Sequence, residues 1–188
     1  KMKIISINRE LDQPVTTAVN HVTIIPDSAI IRDGKPFFVP GFSSQWKYQA
    51  TIAFRVKRLG KNIATRFAHR YIDAIALAVN TLPLDLINSI APSATTTAFD
   101  GAFIIGEWIE TENFNEASLS VKIGDESISV DLSQLAIEET VAQLSQYFTL
   151  KIGDIICPAV LPICNEISIN TIVEGSLNGS NNLKLKFK

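Results

Sequence analysis

The sequence predicts one mainly β or α+β domain that spans residues 1–188. Three observations predict it: short segments of alternating apolar and polar residues, turn residues between those segments, and only two stretches with helical spacing. A chain of 188 residues, 46% of them hydrophobic, is long enough to bury a sizeable core. The expected architecture is therefore a β domain with few helices.

The clearest strand prediction is Trp46–Val56. Apolar residues such as Tyr48 and Phe54 alternate there with polar residues such as Gln49 and Thr51. This segment is long and apolar on one side, so we expect it at the centre of a sheet. Shorter strands are predicted at 3–7, 22–25, 28–31, 37–39, 74–79, 103–105, 119–123, 127–130, 155–156, 167–173 and 183–187.

Turn residues predict how some of these strands pair. Gly124-Asp125 predicts a hairpin between 119–123 and 127–130. The turn at 32–35, which contains Gly34, predicts a second hairpin between 28–31 and 37–39. The basic stretch 57–62 could bind an anion, but its turn residues favour the solvated tip of a connection.

Two helices are predicted, at 65–72 and 133–148. In the second, Ile137, Val141, Leu144 and Phe148 recur at helical spacing, and Asp131 or Ser133 can cap it. The first helix contains His69, which as a lone histidine is more often a surface residue than a catalytic one. Residues 86–97 lack either period and are predicted to form a loop.

Composition excludes some partners and indicates a compartment. The net charge is only −2 and no large basic block is present, which argues against nucleic acid or a membrane surface as partner. The apolar start is too short for a signal peptide, and no apolar run is long enough to cross a membrane. Cys157 and Cys164 are predicted to be reduced, buried thiols, with a disulfide as the minority alternative. We therefore expect a cytoplasmic protein.

Several segments, in register along nearly the whole chain, resemble the fumarylacetoacetate hydrolase family. They are the strand Trp46–Val56, the segment Ala78–Thr81, Phe99-Asp100 followed by Gly106 and Trp108, and the stretch 132–154 that ends in Thr149-Leu150, then Gly153-Asp154. The resemblance implies that family's C-terminal-domain fold, a mixed β-roll with few helices. It also implies C–C hydrolase, isomerase or decarboxylase chemistry on 2-oxo or β-diketo diacids.

The family's chemistry uses a divalent metal held by carboxylates, which stabilises an enolate. At the positions of those carboxylates this sequence has Gln49, Thr51 and Thr81, which offer oxygens but no negative charge. The family's lysine falls on Thr97. We therefore expect no metal cofactor.

Two further catalytic segments of the family also differ here. Its asparagine-tyrosine-x-x-histidine segment falls on Asn8-Arg9-x-x-Asp12, which has no histidine. Its threonine-glycine-threonine-proline loop falls on Pro158–Leu161, which has no hydroxyl. The family features that remain, such as Gly106 and Asp154, are mostly structural.

The resemblance therefore indicates a degenerate, non-catalytic protein on a retained fold: a pseudoenzyme that binds a small molecule or a partner chain. Pocket candidates are Asn80, Thr97 and Asp100, and a different reaction in the same pocket could use Asp100, Asp85 or Asp12. The alternative is an active family enzyme that binds Mg²⁺ or Mn²⁺. A small oxo acid is the expected ligand, and a homodimer the expected assembly; pairing with an active homologue is a third hypothesis.

Overall fold

The structure is a computed structural model that describes residues 2–15, 22–32, 34–89, 93–111 and 117–188. The strands in these ranges are β1 Lys3–Ile7, β2 Val22–Pro26, β3 Ile30–Arg32, β4 Pro36–Phe37, β5 Trp46–Val56, β6 Ile72–Pro83, β7 Phe103–Ile105, β8 Ile109–Glu110, β9 Ser118–Ile123, β10 Glu126–Asp131, β11 Ile155–Cys157, β12 Val160–Glu166, β13 Thr171–Leu177 and β14 Ser180–Phe187. The α-helices are α1 Thr65–Ala68, α2 Leu84–Ser89, α3 Ala94–Thr97, α4 Leu132–Leu135 and α5 Ile137–Tyr147. The predicted mainly β or α+β fold is confirmed.

The strands form a nine-stranded and a five-stranded sheet. The first follows the order β2-β1-β11-β5-β6-β7-β3, with β12 also paired to β5 and β8 to β6; the second follows β10-β9-β13-β14-β4. Strand β5 pairs with β6 over its whole length, from Trp46 opposite Pro83 to Val56 opposite Ile72. Its other edge pairs with β11 and β12. The predicted central position of β5 is confirmed.

The larger sheet must roll up, because its two end strands are joined by a short link. Only the 3-10 turn Asp27–Ala29 separates β2 from β3, and such a link spans at most about 14 Å. In a flat sheet of seven strands the same two strands would lie about 29 Å apart. The sheet therefore curves back on itself.

The two faces of the rolled sheet bury different side chains. The outer face carries Tyr48 and Ile52, which belong to the main core with the second sheet and α5. The inner face carries Ala53, Ala76 and Ala78, all fully buried. Small residues suit the inside of a tight roll, where opposing strands come close together.

The helix predicted at 133–148 is present but divided. Ala136 adopts a left-handed conformation with φ of 47°, which separates α4 from α5. Asp131 caps α4 by accepting a hydrogen bond from the Ser133 backbone nitrogen at 2.9 Å, as predicted. Val141 and Leu144 are fully buried, and the remaining two predicted core residues pack against the same cluster.

One predicted hairpin is confirmed and the other is wrong. Strands β9 and β10 pair around Gly124, whose φ is 58°. Strands β3 and β4 do not pair with each other: β3 pairs in parallel with β7, and β4 pairs in parallel with β14. Each arm of the predicted hairpin therefore pairs with a distant strand instead of with its neighbour.

Other boundaries also differ from the sequence prediction. The region 86–97 contains most of α2 and all of α3, so it is not a simple loop, although 90–92 lie outside the described residues. The helix predicted at 65–72 is only α1 followed by a 3-10 turn at His69–Tyr71. The strand predicted at 167–173 begins at Thr171. Short apolar runs do not carry enough period to fix such boundaries.

Both cysteines are free thiols, but only Cys157 is buried; Cys164 is exposed, so that part of the prediction is wrong. Cys164 lies on β12, whose residues alternate between the core and solvent. None of the helices in the described ranges has the length and apolar character needed to cross a membrane.

Candidate functional site

A cavity of about 320 Å³ lies where β1, β5 and β6 reach one end of the roll. The polar residues of its described lining are uncharged: Ser6, Asn8, Thr23, Gln49, Asn80, Thr81, Thr96 and Thr97. Its apolar lining residues are Ile25, Leu82, Ile87, Ala102 and Val160. Two of the three predicted pocket candidates, Asn80 and Thr97, therefore line it. Asp100 is exposed and does not belong to its lining.

The strand register brings Gln49 and Asn80 together at this cavity. Gln49 on β5 is the direct partner of Asn80 on β6, so their side chains project to the same face of the sheet. The Gln49 side-chain nitrogen donates to the Leu161 carbonyl oxygen, and it lies 3.4 Å from the Ile163 carbonyl oxygen. Gln49 is thus tied to the adjoining strand β12 as a donor.

The two threonines at the family's ligand positions are also donors. The Thr51 hydroxyl donates to the Ala159 carbonyl oxygen at 2.7 Å, and Thr51 is fully buried outside the cavity lining. The Thr81 hydroxyl donates to the Gly101 carbonyl oxygen at 2.8 Å. An ionised carboxylate can only accept, and would face these carbonyl oxygens with like partial charge. The local structure is therefore complementary to neutral donors at these positions.

These residues do not fit a divalent metal. Mg²⁺ and Ca²⁺ depend on carboxylate ligands to offset the cost of dehydration, and Gln49, Thr51 and Thr81 supply none. Within the described ranges, no group of three or more histidine, cysteine, aspartate or glutamate side chains could hold a metal ion. Thr97, at the position of the family's lysine, donates its hydroxyl to the Ser93 carbonyl oxygen at 2.9 Å.

Asn80 carries an unsatisfied polar atom at the cavity wall. Its Oδ1 is buried and accepts no hydrogen bond from the described residues. Leaving a buried amide oxygen without a partner costs about 1–3 kcal/mol, so such atoms are rare unless a ligand or water fills the role. Among the described residues that line the cavity, Asn80 is the one with a buried side-chain polar atom that lacks a hydrogen-bond partner.

The segment after β1 is organised by Arg9 rather than by a histidine. Arg9 is only 2% exposed, and burial lowers the pKa of its guanidinium. It donates to backbone carbonyl oxygens of Glu10, Leu11, Gln13, Gln134, Leu135 and Pro158. Arg9 therefore fixes the rim of the site as a structural cation and has no free donor aimed at the cavity. No sequence pattern predicts this role, because arginine is seldom buried.

The aspartates considered for a different reaction do not converge on the cavity. Asp85 accepts hydrogen bonds from the Ser44 backbone nitrogen and the Ser43 hydroxyl, and the bond from Ser44 lowers the pKa of its carboxyl. Asp12 lies in a neighbouring, wider cavity that also has Glu10 and Glu126 in its lining. Among the described residues, no carboxylate therefore lines the first cavity.

Asp154 has a structural role at the other end of β5. Its side chain is 1% exposed and pairs with the Lys3 ammonium. It also accepts from the backbone nitrogens of Lys3 at 3.0 Å and of Lys151 at 2.8 Å. Both oxygens of this carboxylate are satisfied within the protein, so Asp154 contributes to the fold without any ligand.

Gly106 and Asn182 join the two sheets. A Cβ at Gly106 would lie 2.0 Å from the Asn182 carbonyl oxygen, so only glycine fits there. The Asn182 side chain accepts from the Leu77 backbone nitrogen at 2.7 Å and donates to the Glu107 carbonyl oxygen at 2.7 Å. Gly106 is recognisable in the sequence, whereas Asn182 resembles an ordinary turn residue next to Asn181.

The rolled sheet, the second sheet and the position of the cavity define a mixed β-roll domain. A family model described as the fumarylacetoacetate (FAA) hydrolase C-terminal domain matches residues 6–158. The chain belongs to this family. A comparison with curated proteins gave no significant match.

Solved structures share this fold at low sequence identity. Fumarylpyruvate hydrolase from Pseudomonas aeruginosa, in complex with Mn²⁺ and pyruvate, has a TM-score of 0.80 and 17% identity, over 98% of this chain and 88% of that one. For 2-hydroxyhepta-2,4-diene-1,7-dioate isomerase from Mycobacterium marinum the values are 0.84 and 18%, over 98% and 73%. For 5-carboxymethyl-2-hydroxymuconate delta-isomerase from Mycobacterium smegmatis they are 0.83 and 17%, over 98% and 78%. At these identities the similarity establishes the fold alone.

Proposed function

We propose that this chain is a non-catalytic member of the fumarylacetoacetate hydrolase family that uses the cavity at the mouth of the roll to bind a small molecule. One observation carries the proposal: Gln49, Thr51 and Thr81 all donate hydrogen bonds to backbone carbonyl oxygens. A metal-dependent enzyme needs anionic ligands at these three positions. Here the three side chains are neutral and donate hydrogen bonds. The chemistry that needs a metal-stabilised enolate therefore lacks its ligands.

The retained cavity supports binding rather than a purely structural role. Its volume of about 320 Å³ is in the range of small-molecule sites, and its lining combines apolar surface with neutral polar side chains. The inner face of the roll is already packed with small buried residues such as Ala53 and Ala78, so the cavity is space beyond that packing.

The first experiment tests metal binding and turnover together. Protein purified without chelator is assayed by elemental analysis, and then with fumarylpyruvate in the presence of Mn²⁺ or Mg²⁺. We expect substoichiometric metal and no cleavage above the rate without protein. The alternative, an active metal-dependent enzyme, would instead give near-stoichiometric metal and turnover, both lost on Gln49→Ala or Thr81→Ala.

A homodimer remains part of the proposal. Light scattering at micromolar concentration should give twice the chain mass of 20.6 kDa. A mass near that of one chain would contradict the dimer and leave the binding function unaffected. Co-purification from the native source would separately reveal an active homologue as partner.

A further inference from the structure

We infer that the cavity selects an uncharged molecule with a polar amide-like group, in preference to a 2-oxo acid anion. This inference rests on the proposed binding function and specifies the chemical class of ligand. It departs from the small oxo acid that the family resemblance implies.

The first argument is charge. None of the described residues that line the cavity is ionisable, so no lining cation compensates for the burial of a carboxylate. Moving an unpaired anion from water into a protein interior has a large free-energy cost. The guanidinium of Arg9 does not help, because its donors bind backbone carbonyl oxygens.

The second argument is the neighbouring cavity, which shares Gln49 and Val160 with the first. Its described lining contains Glu10, Asp12 and Glu126 and neither lysine nor arginine. These carboxylates make the electrostatic potential of the first cavity more negative, so they further disfavour an anionic ligand there.

The third argument is the polar group on offer. Asn80 lines the cavity, and its buried Oδ1 has no hydrogen-bond partner among the described residues. The terminal torsion of asparagine is broad and roughly two-fold, so the amide can rotate to meet a ligand in the cavity. An asparagine amide offers one acceptor and two donors, and another amide complements both. A carboxylate offers only acceptors and would leave Oδ1 unsatisfied.

The remaining lining determines the rest of the ligand. Ile25, Leu82 and Val160 present apolar surface next to this amide. A molecule with an apolar body and one neutral amide group therefore matches both the apolar lining and the Asn80 amide. Benzamide is a simple compound of this class.

The test uses three molecules of nearly the same shape that differ in charge: benzoate, benzamide and benzamidinium. Dissociation constants are measured at pH 7 by NMR titration. We expect benzamide to bind at least about tenfold more tightly than either ion. The Asn80→Leu variant should weaken benzamide binding by at least about tenfold. The matched control Thr140→Val on α5, whose buried hydroxyl also lacks a partner among the described residues but lies outside the cavity lining, should change it by less than about threefold.

A second variant keeps the test decisive if Asn80→Leu does not fold. Asn80→Asp has the same size but carries an anion, and should transfer the preference from benzamide to benzamidinium. Tighter binding of benzoate or benzamidinium by the unaltered protein, or equal binding of all three, overturns the inference while the binding function stands. No binding of any of the three up to about 10 mM overturns the binding function itself.

Discussion

The two ends of β5 handle buried polarity in opposite ways. At the end near Val56, a carboxylate is kept: Asp154, whose carbonyl oxygen accepts from the Val56 nitrogen at 2.8 Å, is held by Lys3 and two backbone nitrogens. At the end near Gln49, about 24 Å away, the polar groups are neutral and donate to carbonyl oxygens.

The difference shows what each carboxylate position requires. The charge of Asp154 is balanced by groups of the chain itself, so its contribution to folding is independent of any ligand. The family's carboxylates at the other end need an external cation, and without one they would oppose each other. Replacing them by Gln49 and Thr51 removes that repulsion and adds hydrogen bonds to β12 and the segment before it. The following predictions test this contrast.

The largest effect is expected for Asp154→Asn. The substitution keeps the shape of the side chain but leaves the Lys3 ammonium without its buried counter-ion. Breaking a buried ion pair by removing one partner costs about 3–5 kcal/mol. We therefore expect the free energy of unfolding, from urea titration, to fall by about 3 kcal/mol or more.

The matched control is Glu174→Gln, which removes an exposed ion pair with Lys184. The Glu174 side chain is 58% exposed, and pairs of this kind contribute about 0–1 kcal/mol. If the two variants lose the same free energy of unfolding, the ion pair between Asp154 and Lys3 contributes no more than an exposed one.

The next effect comes from restoring charge at the other end of β5. The combined variant Gln49→Glu, Thr51→Glu, Thr81→Asp should be less stable than the native protein, because its carboxylates face the carbonyl oxygens of Ala159 and Leu161. Mn²⁺ should recover stability by about 2.7 kcal/mol at a concentration 100 times its dissociation constant. The measurement is the thermal midpoint with and without Mn²⁺ and chelator.

Two proteins serve as controls for the metal effect. The native chain should show no shift with Mn²⁺, and Gln49→Glu alone a smaller shift than the combined variant. A shift of equal size in the native chain would mean that neutral oxygens at this end already hold a metal, and would contradict the contrast between the ends.

The fold could be predicted from the sequence to the level of its long elements. The alternation in Trp46–Val56 and the turn at Gly124 depend on local residue types, so both appear as expected. The partners of β3 and β4 could not be predicted, because parallel pairing with distant strands leaves no local pattern. Ala136, at which α4 ends and α5 begins, adopts a positive φ that alanine rarely takes, so its sequence gives no sign of the division.

The site could be predicted by position but not by contact. Motif order placed Gln49, Thr51 and Thr81 near the mouth of the roll, yet no pattern shows that each donates to a carbonyl oxygen. Such bonds join residues 20 to 112 positions apart in the chain. Arg9 and Asn182 were missed for the same reason, since their partners are mainly backbone groups that any sequence carries.

The smallest effect tests whether the inner face of the roll tolerates charge. Cys157 is fully buried there, and burial raises the pKa of its thiol from 9.0 to about 12. Below pH 9 the thiol is protonated in both states and stability is unaffected. Above pH 9 the unfolded thiol loses its proton first, so the unfolding free energy falls by about 1.4 kcal/mol per pH unit until the folded pKa is reached. Between pH 8 and pH 10, the native protein should therefore lose about 1.4 kcal/mol more than Cys157→Ala, which retains every other titrating group. Equal losses in urea titrations at the two pH values would show that the inner face admits a thiolate, and that its neutrality is not imposed by the fold.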